Sequence, residues 1–432
     1  MIENNSTVNQ EVQNFEGWQK KTALFLFSQG FSMFGSMLVQ YAIIWHITLN
    51  TQSGATLTIA TIASFLPQIV ISLFAGVWAD RYPRKLLIIG SDALTAISTL
   101  ILAVIFLLGY QELWLLFLVS AIRSVGAGIQ APAVSALLPQ IVPGEKLVRV
   151  NGINGTLQPF IMITAPVASG ALMSFSRLES IFFVDVVTAA LAIGLLLVLK
   201  APVHRKATAE QVTGYLDDMK AGLVNIRENR TIRALMIFFA FVFFLVTPAA
   251  FLTPLLVARS FGDEVWRLTA NEVTFFGGSI LGGLIMTLWG GFKNHFRTIG
   301  LACILWALLF AGLGVSKVFF IYLVIMFLSG IPMPFFSVPT TTMFQELVEQ
   351  DMQGRVFGVQ QLIMSAVMPV GMLVFGPIAD VLSIEFLLIL SSLLMAIPGV
   401  WIFFRHMPEQ PVPEPSPAEY EALGNVSRQP GD

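Results

Sequence analysis

The sequence predicts an all-helical membrane protein with twelve transmembrane helices, arranged as two six-helix pseudo-repeats. Three observations support this fold class. The 432 residues are 56% hydrophobic and only 12% charged, whereas soluble domains carry about 25% charged residues. The apolar runs continue for about 20 residues, the length of a membrane helix, and do not alternate over about ten residues as β-barrel strands do. The runs also divide six and six around a polar central segment.

Twelve spans and five segments follow from this hydropathy pattern. We predict a tail at 1–20, a first bundle at 21–200, a central cytoplasmic loop at 201–232, a second bundle at 233–405 and a disordered tail at 406–432. Residues 215–223 of the central loop are predicted to form a short surface helix. The predicted spans are 22–47, 56–79, 86–109, 114–138, 147–174, 180–199, 233–259, 268–289, 298–315, 318–342, 356–380 and 385–404.

The distribution of Lys and Arg predicts the orientation. An even number of spans places both termini on one side, and nineteen of the 24 basic residues lie on that side. Arg123 lies within a span, and the opposite side holds four basic residues: Arg177, Arg259, Arg267 and Lys317. Basic residues are enriched in cytoplasmic loops. We therefore expect a multi-pass protein of the cell membrane with both termini in the cytoplasm.

The composition argues against an enzyme or a nucleic-acid-binding protein. The four histidines are scattered, and the single cysteine, Cys303, lies in an apolar run, so neither a metal site nor a catalytic constellation is predicted. The sequence has no phosphate-binding loop of the Gly-Lys type. No cofactor is expected. The formal net charge of −2 indicates no nucleic-acid partner, and the expected partners are the lipid bilayer and a small-molecule substrate of a monomeric protein.

Landmarks in the first half recur in the second. Pro132 is followed by Arg149–Gly152, and Pro339 is followed at a similar distance by Arg355–Gly358. Further along, Ala165-Pro166 and Gly376-Pro377 fall near matching points of the fifth span of each half. Parallel repeats related by an axis along the membrane normal imply a central cavity that opens alternately to the two sides.

The turn between spans two and three, Gly76–Lys85, carries the most specific pattern. Asp80 ends span two, and its carboxylate could meet the N-terminus of another helix, where free N–H groups and the helix dipole favour an anion. Gly76 would allow two helices to approach closely. We predict a conformational latch at the cytoplasmic face. The alternative is that the basic residues only follow the positive-inside bias. In a latch, the basic residues could pair with Glu145 or Asp351. These basic residues are Arg81, Arg84 and Lys85.

This turn resembles a loop signature of the major facilitator superfamily, Gly-x-x-x-Asp-Arg-x-Gly-Arg-Arg/Lys, with Pro83 at the usual second glycine. Arg123 with Gly126 and Gly128 resembles the span-four signature of that superfamily. The stretch Ala165–Gly170 is similar to the tail of the span-five motif of drug antiporters. In the superfamily the matching aspartate meets the start of span eleven, which here corresponds to Gly354 and Arg355.

Other segments are similar to the macrolide-efflux branch of the superfamily, which lies near siderophore exporters. The resemblance implies a major facilitator fold. It also implies a secondary active exporter of bulky amphipathic compounds such as macrolide-like drugs, exchanged for protons by alternating access. The segments that carry this similarity are Asp80–Asp92, Phe182–Asp185, Phe344–Glu346 and Gly354–Phe357.

Three charged residues lie inside predicted spans of the first half. A charge at the bilayer centre costs about 2.5–3.5 kcal/mol on insertion scales, so each needs a partner or a cavity. Arg123 of span four and Asp185 of span six are predicted at similar depth. They could take part in proton coupling or form a static ion pair. Asp92 of span three could carry a proton, but we expect it to support the Arg81–Lys85 turn.

Polar and aromatic side chains predict the substrate cavity. Span one carries Ser28, Ser32, Ser36 and Gln40 at intervals of four, which form one stripe on a helix and should face a cavity or another helix. Span seven is rich in phenylalanine, and an aromatic wall with a few amides suits a bulky amphipathic molecule. The alternative for most of these phenylalanines is contact with lipid. The predicted cavity residues are Ser32, Ser36, Gln40, Phe244, Gln158 and Gln361.

Two other functions remain open. The cargo could be a siderophore or a lipid-like metabolite carried by the same fold. Alternatively, the chain could be a membrane sensor or scaffold that does not transport. The charged turn and the polar stripe argue against that second alternative, because loss of transport should relax both patterns.

Overall fold

The computed structural model describes residues 17–199, 215–349 and 352–405, and for residues 80 and 215–218 it describes the backbone alone. Most of the predicted tails, the start of the central loop and Asp351 lie outside these residues.

The first half consists of six long helices. Their ends follow local sequence signals: the Ser53 side chain caps the second helix by accepting a hydrogen bond from the Thr56 N–H, and Pro83 and Pro143 directly precede the third and fifth. The helices are α1 Trp18–Thr51, α2 Gly54–Arg81, α3 Arg84–Leu107, α4 Leu113–Ile141, α5 Gly144–Phe175 and α6 Leu178–Val198.

The second half repeats this pattern with two interrupted spans. Span seven breaks at Leu252 and span ten at Ile331, each followed closely by a proline at the start of the next helix. The predicted surface helix is present as α7 Tyr215–Glu228. The other helices are α8 Arg230–Phe251, α9 Thr253–Ser260, α10 Val265–Trp289, α11 His295–Val315, α12 Phe319–Gly330, α13 Pro332–Leu347, α14 Gln353–Ile378 and α15 Ile384–Phe403.

Within the described residues, twelve segments are long and apolar enough to cross a membrane, which confirms the predicted number of spans. Their limits differ slightly from the prediction. The first span begins at Trp18 and not at 22, and the seventh begins at Arg230 and not at 233. Polar and charged residues extend several helices beyond the apolar run, which is why hydropathy alone placed these limits too far inward.

Helix packing confirms the two-repeat architecture. In the first half, α1 packs on α5 and α6, α2 packs on α4, and α3 packs on α4 and α6. The equivalent helices of the second half pair in the same way: α8 with α14 and α15, α10 with α12, and α11 with α13 and α15. Between the halves, α2 packs on α14 and α5 packs on α10. The pseudo-symmetry exchanges these two contacts. The surface helix α7 lies along α14 and also reaches α2.

The two ends of the bundle differ in how the halves meet. We call them the basic face, which carries the α2–α3 turn with Arg81, Arg84 and Lys85, and the Asp380 face, which carries the α1–α2 turn and the α14–α15 turn. Towards the Asp380 face, Trp45 of α1 and Leu57 of α2 belong to a buried cluster otherwise made of second-half residues.

The buried cluster nearest the basic face stays within one half. It contains Phe25, Ile88 and Leu137, and all of its buried members belong to the first half. The described residues of the two halves therefore share a core near the Asp380 face, whereas this cluster at the basic face belongs to the first half alone.

Candidate functional site

Asp380, in the turn after α14, caps the N-terminus of α2. Its carboxylate accepts hydrogen bonds from the backbone N–H groups of Gly54 (2.7 Å) and Ala55 (2.9 Å) and from the Ser53 hydroxyl (2.9 Å). The first N–H groups of a helix have no partner within it, and the positive end of the helix dipole attracts a carboxylate. Because α2 and Asp380 belong to different halves, this contact joins the halves.

Arg259, near the end of α9, completes the contact. Its Nη2 lies 2.8 Å from Asp380 Oδ1, and the guanidinium also donates hydrogen bonds to the carbonyl oxygens of Gln52 and Ala379. Gln52 ends α1 with a left-handed φ of 46°, a conformation that costs a non-glycine residue about 1–2 kcal/mol. Its carbonyl oxygen is thereby available to Arg259. We call the set formed by these groups the Asp380 clamp: Asp380, Arg259, Ser53, Gly54 and Ala55.

The hydrogen bonds of the clamp favour the ionised form of Asp380. Partial burial would by itself raise the pKa of the carboxyl group. The N–H groups of Ala55 and Gly54, the Ser53 hydroxyl and the Arg259 guanidinium outweigh burial and hold the pKa of Asp380 below its usual range. The clamp therefore contains a carboxylate at neutral pH.

Close backbone contacts support the clamp. A Cβ atom on Gly54 would overlap the carbonyl oxygen of Gly376 on α14, and the Thr58 hydroxyl donates a hydrogen bond to the carbonyl oxygen of Met372 at 3.0 Å. On the pseudo-symmetric side, a Cβ atom on Gly170 of α5 would overlap the Thr269 hydroxyl of α10. The two contacts between the halves thus depend on glycines, and they seal the Asp380 face.

Towards the basic face, α5 is largely exposed and α14 is mostly half-buried. Residues 144–160 of α5 are mostly exposed, including Val148 (85%) and Gln158. Gln361 of α14 is also exposed. A Cβ atom on Gly152 or Gly358, the matching glycines of the two repeats, would meet no atom within 4 Å. The predicted cavity residues Gln158 and Gln361 are therefore both exposed, on the part of α5 and α14 towards the basic face.

The predicted latch is only partly described. The Asp80 side chain lies outside the described part of the chain, and Gly76 is half-buried on α2. A Cβ atom on Gly354, the predicted docking point, would meet no atom within 4 Å. The Arg355 guanidinium contacts Met352 Sδ at 3.4 Å, among other partners. The latch stays a prediction for a state in which α2 approaches Gly354.

Two basic residues of the turn donate hydrogen bonds to carbonyl groups of the first half. Arg81 is exposed. Arg84 donates hydrogen bonds to the carbonyl oxygens of Ala79 and Ala136, and Lys85 donates to those of Leu197 and Leu199. These bonds hold the turn against α4 and α6.

Arg123 and Asp185 are brought together. Arg123 Nη1 lies 2.5 Å from Asp185 Oδ2, and both side chains are buried. The guanidinium also donates hydrogen bonds to the Thr99 hydroxyl and to the carbonyl oxygen of Ser36. The ion pair thereby links α1, α3, α4 and α6. A buried ion pair with additional hydrogen bonds fits the static role. The same geometry places a titratable acid inside the first half, which fits the role in proton coupling.

Asp92 does not reach the charged turn. Its Oδ1 accepts hydrogen bonds from Ser32 Oγ at 2.7 Å and from Gln130 Nε2 at 2.9 Å, and its Oδ2 is buried with no hydrogen-bond partner. We predicted a contact with the Arg81–Lys85 turn from depth alone. Depth does not report the direction of a helix face, and the polar stripe of α1 supplies the partner.

The other predicted cavity residues bind within their own halves. Gln40 Nε2 donates a hydrogen bond to Ser64 Oγ at 3.0 Å, and Ser36 offers its carbonyl oxygen to Arg123. Phe244 packs against Phe375, with ring centroids 5.1 Å apart. The stripe on α1 therefore faces neighbouring helices for much of its length.

Two groups were not anticipated from the sequence. Glu272 lies close to the start of the span predicted to begin at 268, but α10 begins at Val265, which puts the carboxyl group about 10 Å inside the helix end. Arg259 and Asp380 were the last residues of the predicted spans 233–259 and 356–380, and neither was assigned a functional role. A sequence signal for Asp380 was present. Asp380 follows the end of α14 just as Asp80 marks the end of α2, so the two aspartates occupy equivalent positions on antiparallel neighbours.

Comparisons with known proteins agree with this geometry. The family model described as Major Facilitator Superfamily matches residues 25–362 and 266–430. The chain is 28% identical over 386 residues to macrolide efflux protein A of Streptococcus pyogenes, covering 89% of this chain and 95% of the relative. It is 29% identical over 314 residues to macrolide efflux protein A of Enterococcus faecalis, covering 72% of this chain and 97% of the relative.

Among solved structures, a mutant of the nucleoside transporter NupG superposes with a TM-score of 0.69 at 15% identity, covering 89% of this chain and all of that chain. This likeness supports the fold alone. Together with the twelve spans and the paired six-helix halves, the family match establishes that the chain belongs to the Major Facilitator Superfamily, as a multi-pass membrane transporter.

Proposed function

We propose that the protein exports bulky amphipathic organic compounds in exchange for protons, by alternating access between the two faces. The contrast between the faces carries this proposal: the halves share a core and a clamp at the Asp380 face, while towards the basic face α5 is largely exposed and α14 is mostly half-buried. A transporter that is sealed at one face and open at the other needs only a rocking motion to expose a central site to the second side.

The cargo class rests on the macrolide efflux relatives and on aromatic residues along the inner helices. Phe65 of α2 and Phe251 of α8 meet between the halves with ring centroids 5.9 Å apart. Apolar and aromatic walls with few polar groups suit large amphipathic ligands. Export further requires the basic face to be cytoplasmic, as its excess of Lys and Arg favours.

Uptake into inside-out membrane vesicles tests the proposal. Radiolabelled erythromycin should accumulate in energised vesicles that contain the protein, and an uncoupler that dissipates the proton gradient should abolish accumulation. Vesicles from cells without the protein are the control. Accumulation that is absent, or that persists with the uncoupler, contradicts proton-driven export.

Asp185 and Asp92 are candidate proton carriers in this proposal. The variants Asp185→Asn and Asp92→Asn should be compared for the pH dependence of uptake. A variant that transports with an unchanged pH profile assigns that carboxyl group a structural role.

A further inference from the structure

Glu272 is one of two acids in the interior of the described spans that have no basic partner. In the described spans, four charged side chains lie about two turns or more from both helix ends: Asp92, Arg123, Asp185 and Glu272. Arg123 is the one basic residue of this set, and it is paired with Asp185. Asp92 is held by Ser32 and Gln130. No described Lys, Arg or His lies within 4 Å of the Glu272 carboxyl group.

Glu272 lies between the two halves. The Tyr41 hydroxyl of α1 lies near its carboxyl group, while Glu272 itself belongs to α10. One helical turn before it, Thr269 touches Gly170 at the sealed contact of α10 with α5. Residues three apart lie on the same helix face, so Glu272 faces the first half directly beneath the seal. Both Glu272 and Tyr41 retain partial exposure.

A hydrogen-bond network fixes the carboxyl group in this position. Tyr322 of α12 donates a hydrogen bond to Asn271 Oδ1 at 2.8 Å, and Asn271 Nδ2 lies 3.2 Å from Glu272 Oε1. Tyr322 and Asn271 are fully buried. The network supplies a neutral donor to the carboxyl group, from Asn271, with the Tyr41 hydroxyl nearby, and none of its described members carries a positive charge.

The surroundings of Glu272 select an organic cation over a metal ion. Hard metal ions take six or more oxygen ligands, and the described residues contain no cluster of three acidic, His or Cys side chains that could hold a metal. Aromatic rings are present instead: Tyr41 packs against Trp45 with centroids 5.4 Å apart, and Phe276 lies one turn beyond Glu272 on the same face. Aromatic faces attract alkylammonium and similar cations.

We infer that Glu272 and Tyr41 form the binding subsite for the positive charge of a monovalent organic cation, whose apolar body lies against the neighbouring aromatic rings. This inference rests on the proposed export function and narrows its cargo to lipophilic cations. A carboxyl group buried in a membrane interior without a counter-charge is costly, and a bound cation supplies the missing charge.

Equilibrium binding to the purified full-length protein tests the subsite. The probes are radiolabelled tetraphenylphosphonium, a permanent lipophilic cation, and neutral triphenylphosphine oxide of similar shape. Glu272→Gln should weaken tetraphenylphosphonium binding at least tenfold and leave triphenylphosphine oxide binding within about twofold. Glu272→Asp, which keeps the charge, should retain measurable cation binding. Glu264→Gln is the matched control on the same helix, because Glu264 pairs with Arg267 at the exposed start of α10, and it should bind like wild type.

The outcomes separate the subsite from the export function. Cation binding that survives Glu272→Gln unchanged, or an equal loss for both probes, overturns the inference. Wild-type protein that accumulates erythromycin in vesicles but does not bind tetraphenylphosphonium overturns the subsite and leaves export standing. If erythromycin uptake itself is absent, the proposed function fails, whatever the binding result.

Discussion

The two ends of the α2–α14 pair form an instructive contrast. The helices are antiparallel, each has an aspartate at or just after its last residues (Asp80 and Asp380), and each begins with a glycine in its first turn (Gly54 and Gly354). At one end Asp380 binds the N–H group of Gly54 at 2.7 Å. At the other, a Cβ atom on Gly354 would meet nothing within 4 Å.

This difference indicates how one helix pair could serve both faces. The same chemistry, a carboxylate on free helix N–H groups, is available at each end, and the described side chains show it at the Asp380 end. We propose that the ends close alternately, so that the Asp380 clamp and the Asp80 latch exclude each other during rocking.

The largest effect is expected from Gly54→Val, which tests the closed end. The added side chain would overlap the carbonyl oxygen of Gly376, so the Asp380 face should be unable to close and transport should fall at least tenfold. Gly354→Val is the matched change at the other end, where space is open, and it should leave the Asp380 face closed. Spin-label distances across that face distinguish the two. Equal distances in both variants would contradict the steric role of Gly54.

Asp80→Asn tests the end that is open in this state. Loss of the charge should prevent closure of the basic face and reduce vesicle uptake about tenfold, at unchanged expression. Closure of the Asp380 face should persist, since its contacts are at the opposite end of α2. Normal uptake by Asp80→Asn would leave the turn with only its role in membrane orientation.

Asp380→Asn should have a smaller effect, because the amide keeps one hydrogen-bond acceptor. A carboxylate at a helix N-terminus contributes about 0.3–1 kcal/mol, and up to about 2 kcal/mol when partly buried. We expect the ratio of closed to open Asp380 face to fall about threefold to tenfold, measured by spin-label distances. Glu385→Gln is the control on the same face, since Glu385 accepts a hydrogen bond from Ser260 within the second half. An equal change in both variants would contradict a specific clamp.

The smallest expected effect is that of pH on the clamp. The pKa of Asp380 is lowered in the closed state, so its contribution is fully present above the ordinary pKa of the free carboxyl group. It is lost as the pH falls through the lowered value. Titration of Asp380 should therefore cause no change in the spin-label distances across the Asp380 face between about pH 6 and pH 8. The double variant Asp92→Asn, Asp185→Asn removes the other two candidate titratable acids. If its Asp380 face still opens over this pH range, the response belongs to Asp380 or its partners, and the prediction is wrong.

The number and pairing of spans could be predicted from sequence because apolar runs of helical length have few alternatives in lipid. The Arg123–Asp185 pair could be anticipated because a buried charge needs a partner. The partner of Asp92 could not, because it depends on which face of α3 meets α1. Asp380 and Glu272 were missed because they lie near span limits, which hydropathy fixes poorly, and because the conformational state decides which contacts between the halves are made.

Paired distance measurements on one protein test the alternating ends most directly. With Cys303 replaced by alanine, one spin-label pair at Tyr110 and Lys317 reports the Asp380 face and another at Val148 and Leu288 reports the basic face. The account predicts opposite changes in Gly54→Val relative to the unsubstituted background: a longer distance across the Asp380 face together with a shorter one across the basic face. Distances that lengthen together, or a basic face that does not respond, would contradict it.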